Sequence, residues 1–326
     1  MRAGRDLLGA LLLALWCASP ALAQTWVPGA PLITPRAGAA LVYAQGRLYL
    51  IGGVDGRRYL DSVESAPVDA DGRIGPWTAT TPLPAPRGFA GAAVVGDFIY
   101  LGGGARGGHG KVLLAEVIRA PILSDGRLGV WRPAPNFNLP RRCAKLVHAG
   151  PWLITAGGFG GTLLDSVEVA RLDELGLPGP WRLLAGHLTR PRYVNAMKAG
   201  AGAVYVLGGH DPESGRGLTG TEWAPVGSEG VGSWRPGPAL NHGRYALAAA
   251  ILGGRLYALG GFDGQRYLRS VEVAPISQGA PGPFREGPHL PAPAAGLAAA
   301  SDGRHLFIVG GTDGRHYLGT SHSLLP

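Results

Sequence analysis

Six short apolar runs, each ending in a Gly-Gly pair, recur along the chain. The pairs stand at Gly52-Gly53, Gly103-Gly104, Gly157-Gly158, Gly208-Gly209, Gly260-Gly261 and Gly310-Gly311, in steps of 51, 54, 51, 52 and 50 residues. The run before the first pair, Leu48-Tyr49-Leu50-Ile51, is continuous rather than alternating. Such a run predicts a strand buried on both faces. The glycines after it tolerate positive φ and close backbone approach. Upstream lie small-residue runs, Gly38-Ala39-Ala40, Gly91-Ala92-Ala93 and Ala248-Ala249-Ala250. They predict a strand where space is tightest.

Four further classes of position keep phase with the pairs. Three residues ahead stand Tyr49, Tyr100, Ile154, Tyr205, Tyr257 and Phe307. Sixteen ahead stand Arg36, Arg87, Arg141, Arg192, Arg244 and the exception Ala294. Some 26 or 27 ahead stand Trp26, Trp77, Trp131, Trp181, Trp234 and Phe284. Between 11 and 14 residues after the pair stand Glu64, Glu116, Glu168, Glu222, Glu272 and the exception His322. A period near 50 residues marks repeated units that bury their faces only against one another.

These positions resemble the kelch repeat, an apolar strand ending in Gly-Gly, then Ser-Val-Glu, then Trp. The Ser-Val-Glu is literal at Ser62-Val63-Glu64, Ser166-Val167-Glu168 and Ser270-Val271-Glu272. The resemblance covers residues 24–326 and implies an all-β, six-bladed kelch-type β-propeller with four antiparallel strands per blade. After Gly310-Gly311 only 15 residues remain. Trp26-Val27-Pro28-Gly29 has no Gly-Gly before it and resembles Trp234-Arg235-Pro236-Gly237. The N-terminal strand is therefore expected to complete the last blade, which removes free sheet edges.

Composition fits this reading. Gly (55) and Pro (28) are abundant, yet 46% of residues are hydrophobic, which disordered and collagenous chains do not combine. Residues 1–23 read as a secretory signal peptide, with basic Arg2 and Arg5, an apolar stretch from Leu7 to Trp16, and Ala21-Leu22-Ala23 before Gln24. The product is then expected in the periplasm or outside the cell. No later segment is apolar enough for a transmembrane helix. The formal charge is +8, nearly all of it arginine, and the only lysines are Lys111, Lys145 and Lys198. An exported basic protein meets acidic glycans or acidic proteins before nucleic acid. Beyond the leader only Cys143 remains, so no internal disulfide forms, and it reads as a small buried hydrophobe on an inner strand.

Up-and-down strands place the residues before the first strand and the loops after Gly-Gly on one mouth of the ring. Arg36, Arg87, Arg141, Arg192 and Arg244 are thus candidate ligand contacts, because guanidinium groups bind carboxylates bidentately. A second reading stands beside it. The unit without Arg also lacks Glu, so each Arg is equally a structural partner of a Glu. Arg142 has no counterpart in other units and is a freer candidate. Arg106 and His210 lie in the two longer mouth loops, 105–111 and 210–216. His210, Asp211 and Glu213 are candidates for acid–base work, although no second ligand cluster accompanies them. No metal or cofactor is expected, and no serine-hydrolase, zinc-protease or phosphate-loop motif appears.

Three functions fit. A non-enzymatic module would bind an acidic glycan or protein ligand at the mouth. Resemblance to exported bacterial six-bladed kelch proteins implies the alternative of an epimerase or mutarotase for an acidic sugar such as sialic acid. A structural scaffold of the cell envelope is the third.

Overall fold

The structure, a computed structural model, describes residues 24–325. The leader read over residues 1–23 lies outside them. Six antiparallel sheets radiate from one axis. Blade one is Ala40–Ala44, Arg47–Ile51, Val63–Pro67 and Thr78–Thr80, paired in chain order from the axis outward. Blades two to five repeat the plan from inner strands Gly91–Val95, Lys145–Ala149, Ala196–Gly200 and Ala248–Leu252. Among the described residues, no helix is long and apolar enough to cross a membrane.

The sixth blade is made from both ends of the chain. Ala298–Ser301, Leu306–Val309 and Ser321–Leu325 supply three strands, and Thr25–Pro28 pairs antiparallel as the fourth, with Trp26 opposite Leu324. The expected closure is formed. The Trp26 indole N–H also donates to the Pro288 carbonyl at 3.1 Å.

The apolar runs explain where the core sits. Leu48, Tyr49 and Leu50 on the second strand are wholly buried. The buried hydrophobics divide into six clusters, each filling one gap between neighbouring blades. Trp131 of blade two packs with Tyr49 and Ile51 of blade one. Trp77 of blade one packs with Phe307 and Val309 of blade six.

The tyrosine ahead of Gly-Gly has a polar task as well. Its hydroxyl reaches a turn of the next blade, from Tyr49 to the Gly126 carbonyl at 2.9 Å and from Tyr205 to that of Gly279 at 2.9 Å. A buried ring with a satisfied hydroxyl both fills and orients the gap.

Candidate binding face

The periodic arginines do not rim the mouth. Arg36, Arg141, Arg192 and Arg244 are at most 1% exposed and Arg87 is 4% exposed. Each turns inward to the glutamate of its own blade, as Arg36–Glu64, Arg87–Glu116, Arg141–Glu168, Arg192–Glu222 and Arg244–Glu272. The last three of these pairs close to 2.5 Å. The same guanidinium also donates to the first Gly-Gly carbonyl, at 2.7 Å from Arg141 to Gly157 and 2.9 Å from Arg244 to Gly260. The glutamate accepts backbone N–H groups from the turn before the arginine, such as Asn241 at 2.6 Å and His242 at 3.1 Å.

Burial pulls all five guanidinium groups below their ordinary value, and the facing glutamate opposes that shift. Each group is buried and paired through its terminal nitrogens, and of their buried nitrogens only the Nε atoms of Arg141 and Arg192 lack a partner among the described residues, so the geometry favours the structural reading of the five. Blade two is the most open case, because the Glu116 side chain is 45% exposed and also lies 3.9 Å from Arg106.

Two residues after each arginine position comes a residue in the left-handed region. Gly38, Phe89, Cys143, Val194, Ala246 and Gly296 all have φ between +52° and +63°. Five backbone hydrogen bonds of 2.7–2.9 Å join them around the axis, each N–H donating to the preceding blade. The series runs Ala246 to Val194, Gly296 to Ala246, Gly38 to Gly296, Phe89 to Gly38 and Cys143 to Phe89. This peptide hoop forms the throat of the mouth. A β-branched residue such as Val194 tolerates that φ only because the surroundings impose it, at a cost of order 1–3 kcal/mol. Cys143 precedes its inner strand rather than lying on it, and it is half-buried at the throat. Burial pushes its thiol up to about 11, so it is not a thiolate at neutral pH.

Around the hoop lies a belt of rings. Phe159, Tyr193, His210, Tyr245, Phe262 and Tyr267 follow one another with centroids 4.6–6.1 Å apart. Arg142 lies over Phe159 at 4.9 Å and so begins the belt. His210 is held edge-on between Tyr193 and Tyr245. It is part of this belt and is not grouped with Glu213, which is exposed on the loop. Asp211 instead braces its own turn, accepting from the Ser214 hydroxyl at 2.8 Å.

The belt gives way to a cleft of about 590 Å³ on the same face, beside blades one, two and six. Tyr59, Phe89 and Tyr317 supply its apolar walls, and Arg57 and Arg58 its charge. Both arginines are exposed, and Asp55 accepts their backbone N–H groups at 2.8 and 2.9 Å, which fixes the turn that carries them. Asp61 adds one carboxylate. Sequence reading passed over Arg57, Arg58 and these rings because no repeat marks them. The available signal was position, since Arg57-Arg58 falls in a loop directly after Gly-Gly.

Known proteins agree with the repeat. The Kelch motif family profile matches residues 35–65 and 243–273, each stretch running from the periodic arginine past Gly-Gly to the glutamate. Kelch repeat and BTB domain-containing protein 8 of Danio rerio is 33% identical over 120 residues, 36% of this chain and 17% of that protein. Beta-scruin of Limulus polyphemus is 27% identical over 175 residues, 53% of this chain and 18% of that protein. Kelch-like protein 28 of Homo sapiens is 31% identical over 173 residues, 49% of this chain and 26% of that protein. The alignments thus span 17–26% of these relatives' length. With six blades closed around one axis and the Kelch motif matched in two of them, the chain is a six-bladed β-propeller built on kelch-type repeats.

Proposed function

We propose that this propeller is a non-enzymatic binding module that receives an acidic segment of a partner protein on its mouth face. The observation that carries the proposal is the cleft of about 590 Å³, where three aromatic walls stand beside the exposed Arg57 and Arg58. That size suits a ligand site. Guanidinium groups pair with carboxylates in a fork geometry, and half-buried rings give a rigid contact surface at low entropy cost. We place the encounter outside the cytoplasm, on the strength of the leader read in residues 1–23. An acidic glycan is the second reading, favoured by the aromatic belt from Phe159 to Tyr267 on the same face.

Titration of the propeller with acidic peptides and, separately, acidic oligosaccharides tests this. Binding should saturate, weaken with salt, and fall at least tenfold in the Arg57→Glu/Arg58→Glu variant while Tm stays unchanged. Peptide binding that ignores this variant would end the proposal. Oligosaccharide binding alone would replace the protein ligand by the glycan.

A further inference from the structure

Two of the chain's three lysines enter the central channel. Lys145 and Lys198 stand on the inner strands of blades three and four, and both line the bore. The rest of the wall is alanine, glycine, leucine, valine and methionine. No carboxylate lines the bore, or the throat above it, among the described residues. Lys198 Nζ donates to the Ala299 carbonyl of blade six at 3.1 Å, which uses one of its three protons. At the throat, the buried Asn195 side-chain amide has no partner on either its nitrogen or its oxygen. Buried amides almost always find a partner, so an unpaired one at the throat beside Lys145 points to a small ligand.

Both ammonium groups carry an unfavourable load. Burial lowers Lys198 to about 8, with the Lys145 charge as the second cause. Burial also lowers Lys145, opposed by Cys143. The two lysines are the titratable groups of the bore, and the neutral Cys143 thiol is the one at the throat beside Lys145.

We infer that the bore is a binding site for a small monovalent inorganic anion of halide size, held by Lys145 and Lys198. The bore holds about 60 Å³, roughly twice the liquid volume of a water molecule, so it suits an ion and a water better than a sugar-sized acid. An anion there relieves the repulsion between the two cations. It does not depend on the mouth-face reading.

Bromide is the probe. Crystals of the propeller soaked in bromide should show an anomalous peak in the bore. In solution, bromide should replace gluconate, a sugar-sized acid, at constant ionic strength. Tm should then rise with the logarithm of bromide concentration. The Lys145→Met/Lys198→Met variant should lose that rise. Affinity should fall up to tenfold per pH unit above about pH 8, as Lys198 gives up its proton. The Lys145→Arg/Lys198→Arg variant keeps both charges and should keep the bromide response above pH 8. It also serves if the methionine variant does not fold. An empty bore in the soaked crystals, or equal bromide responses in wild type and the methionine variant, would overturn the inference.

Discussion

Blade five and blade six follow one plan, yet only blade five carries the ion pair. In blade five, Arg244 ties the Gly260 carbonyl to Glu272 inside the sheet. In blade six, Ala294 and His322 take those places, and a void of about 30 Å³ lies beside them and Gly310. The Gly310-Gly311 pair keeps the same positive φ and the same ladder all the same. The strand plan therefore does not require the ion pair. What the pair does is tether the entering chain to its own sheet, as Glu272 holds the Asn241 and His242 N–H groups. Blade six keeps a different tether on the chain that leaves it, where Ser321 donates its hydroxyl to the Ala30 carbonyl at 2.6 Å.

The largest effect should come from breaking one pair in its most buried form. Arg141 and Glu168 have no exposed side-chain surface. Glu168→Ala leaves a buried guanidinium without its counter-charge and should cost about 3–5 kcal/mol in denaturant unfolding. Arg141→Met/Glu168→Met should cost much less. Equal losses would mean that the pair holds the blade together rather than merely satisfying itself.

Installing the pair in blade six is the converse. Ala294→Arg or His322→Glu alone should destabilise by about 1–3 kcal/mol, through overpacking or an unpaired charge. The double variant should return to within about 1 kcal/mol of wild type, the coupling expected of neighbours in one network. Additive losses would show that blade six has closed around its own packing.

The smallest effect is a pH dependence confined to blade six. Burial lowers His322 below its ordinary 6.5. The folded state then prefers the neutral ring, so this contribution is complete above about pH 6.5 and is lost as pH falls toward the folded value. Tm should drop more between pH 7 and pH 5 in wild type than in His322→Gln. Identical slopes would place the acid sensitivity elsewhere.

The contrast between blades also explains what the sequence revealed. Gly-Gly spacing, blade number and the closing role of Trp26 were legible because strand length and the gap between blades fix the spacing of their residues. The depth of a side chain was not legible. Arg36 and its equivalents sit at the mouth in sequence, but a glutamate two strands away draws each of them inward. A residue that recurs in every unit answers a need of the unit. Residues that break the repeat, Arg142, Lys145, Lys198 and His210, line the belt or the bore instead. Arg57 and Arg58 were missed because an exposed loop leaves no period to read.

The peptide hoop at the throat has an electrical consequence. Its five hydrogen bonds all run in one rotational sense, from each blade to the one before. Dipoles set head to tail around a circle cancel along the axis, whereas those of a helix add. The five bonds of the hoop therefore add little to the potential along the axis. The charge of the bore below it rests on Lys145 and Lys198, so neutralising either one halves that charge without altering the hoop.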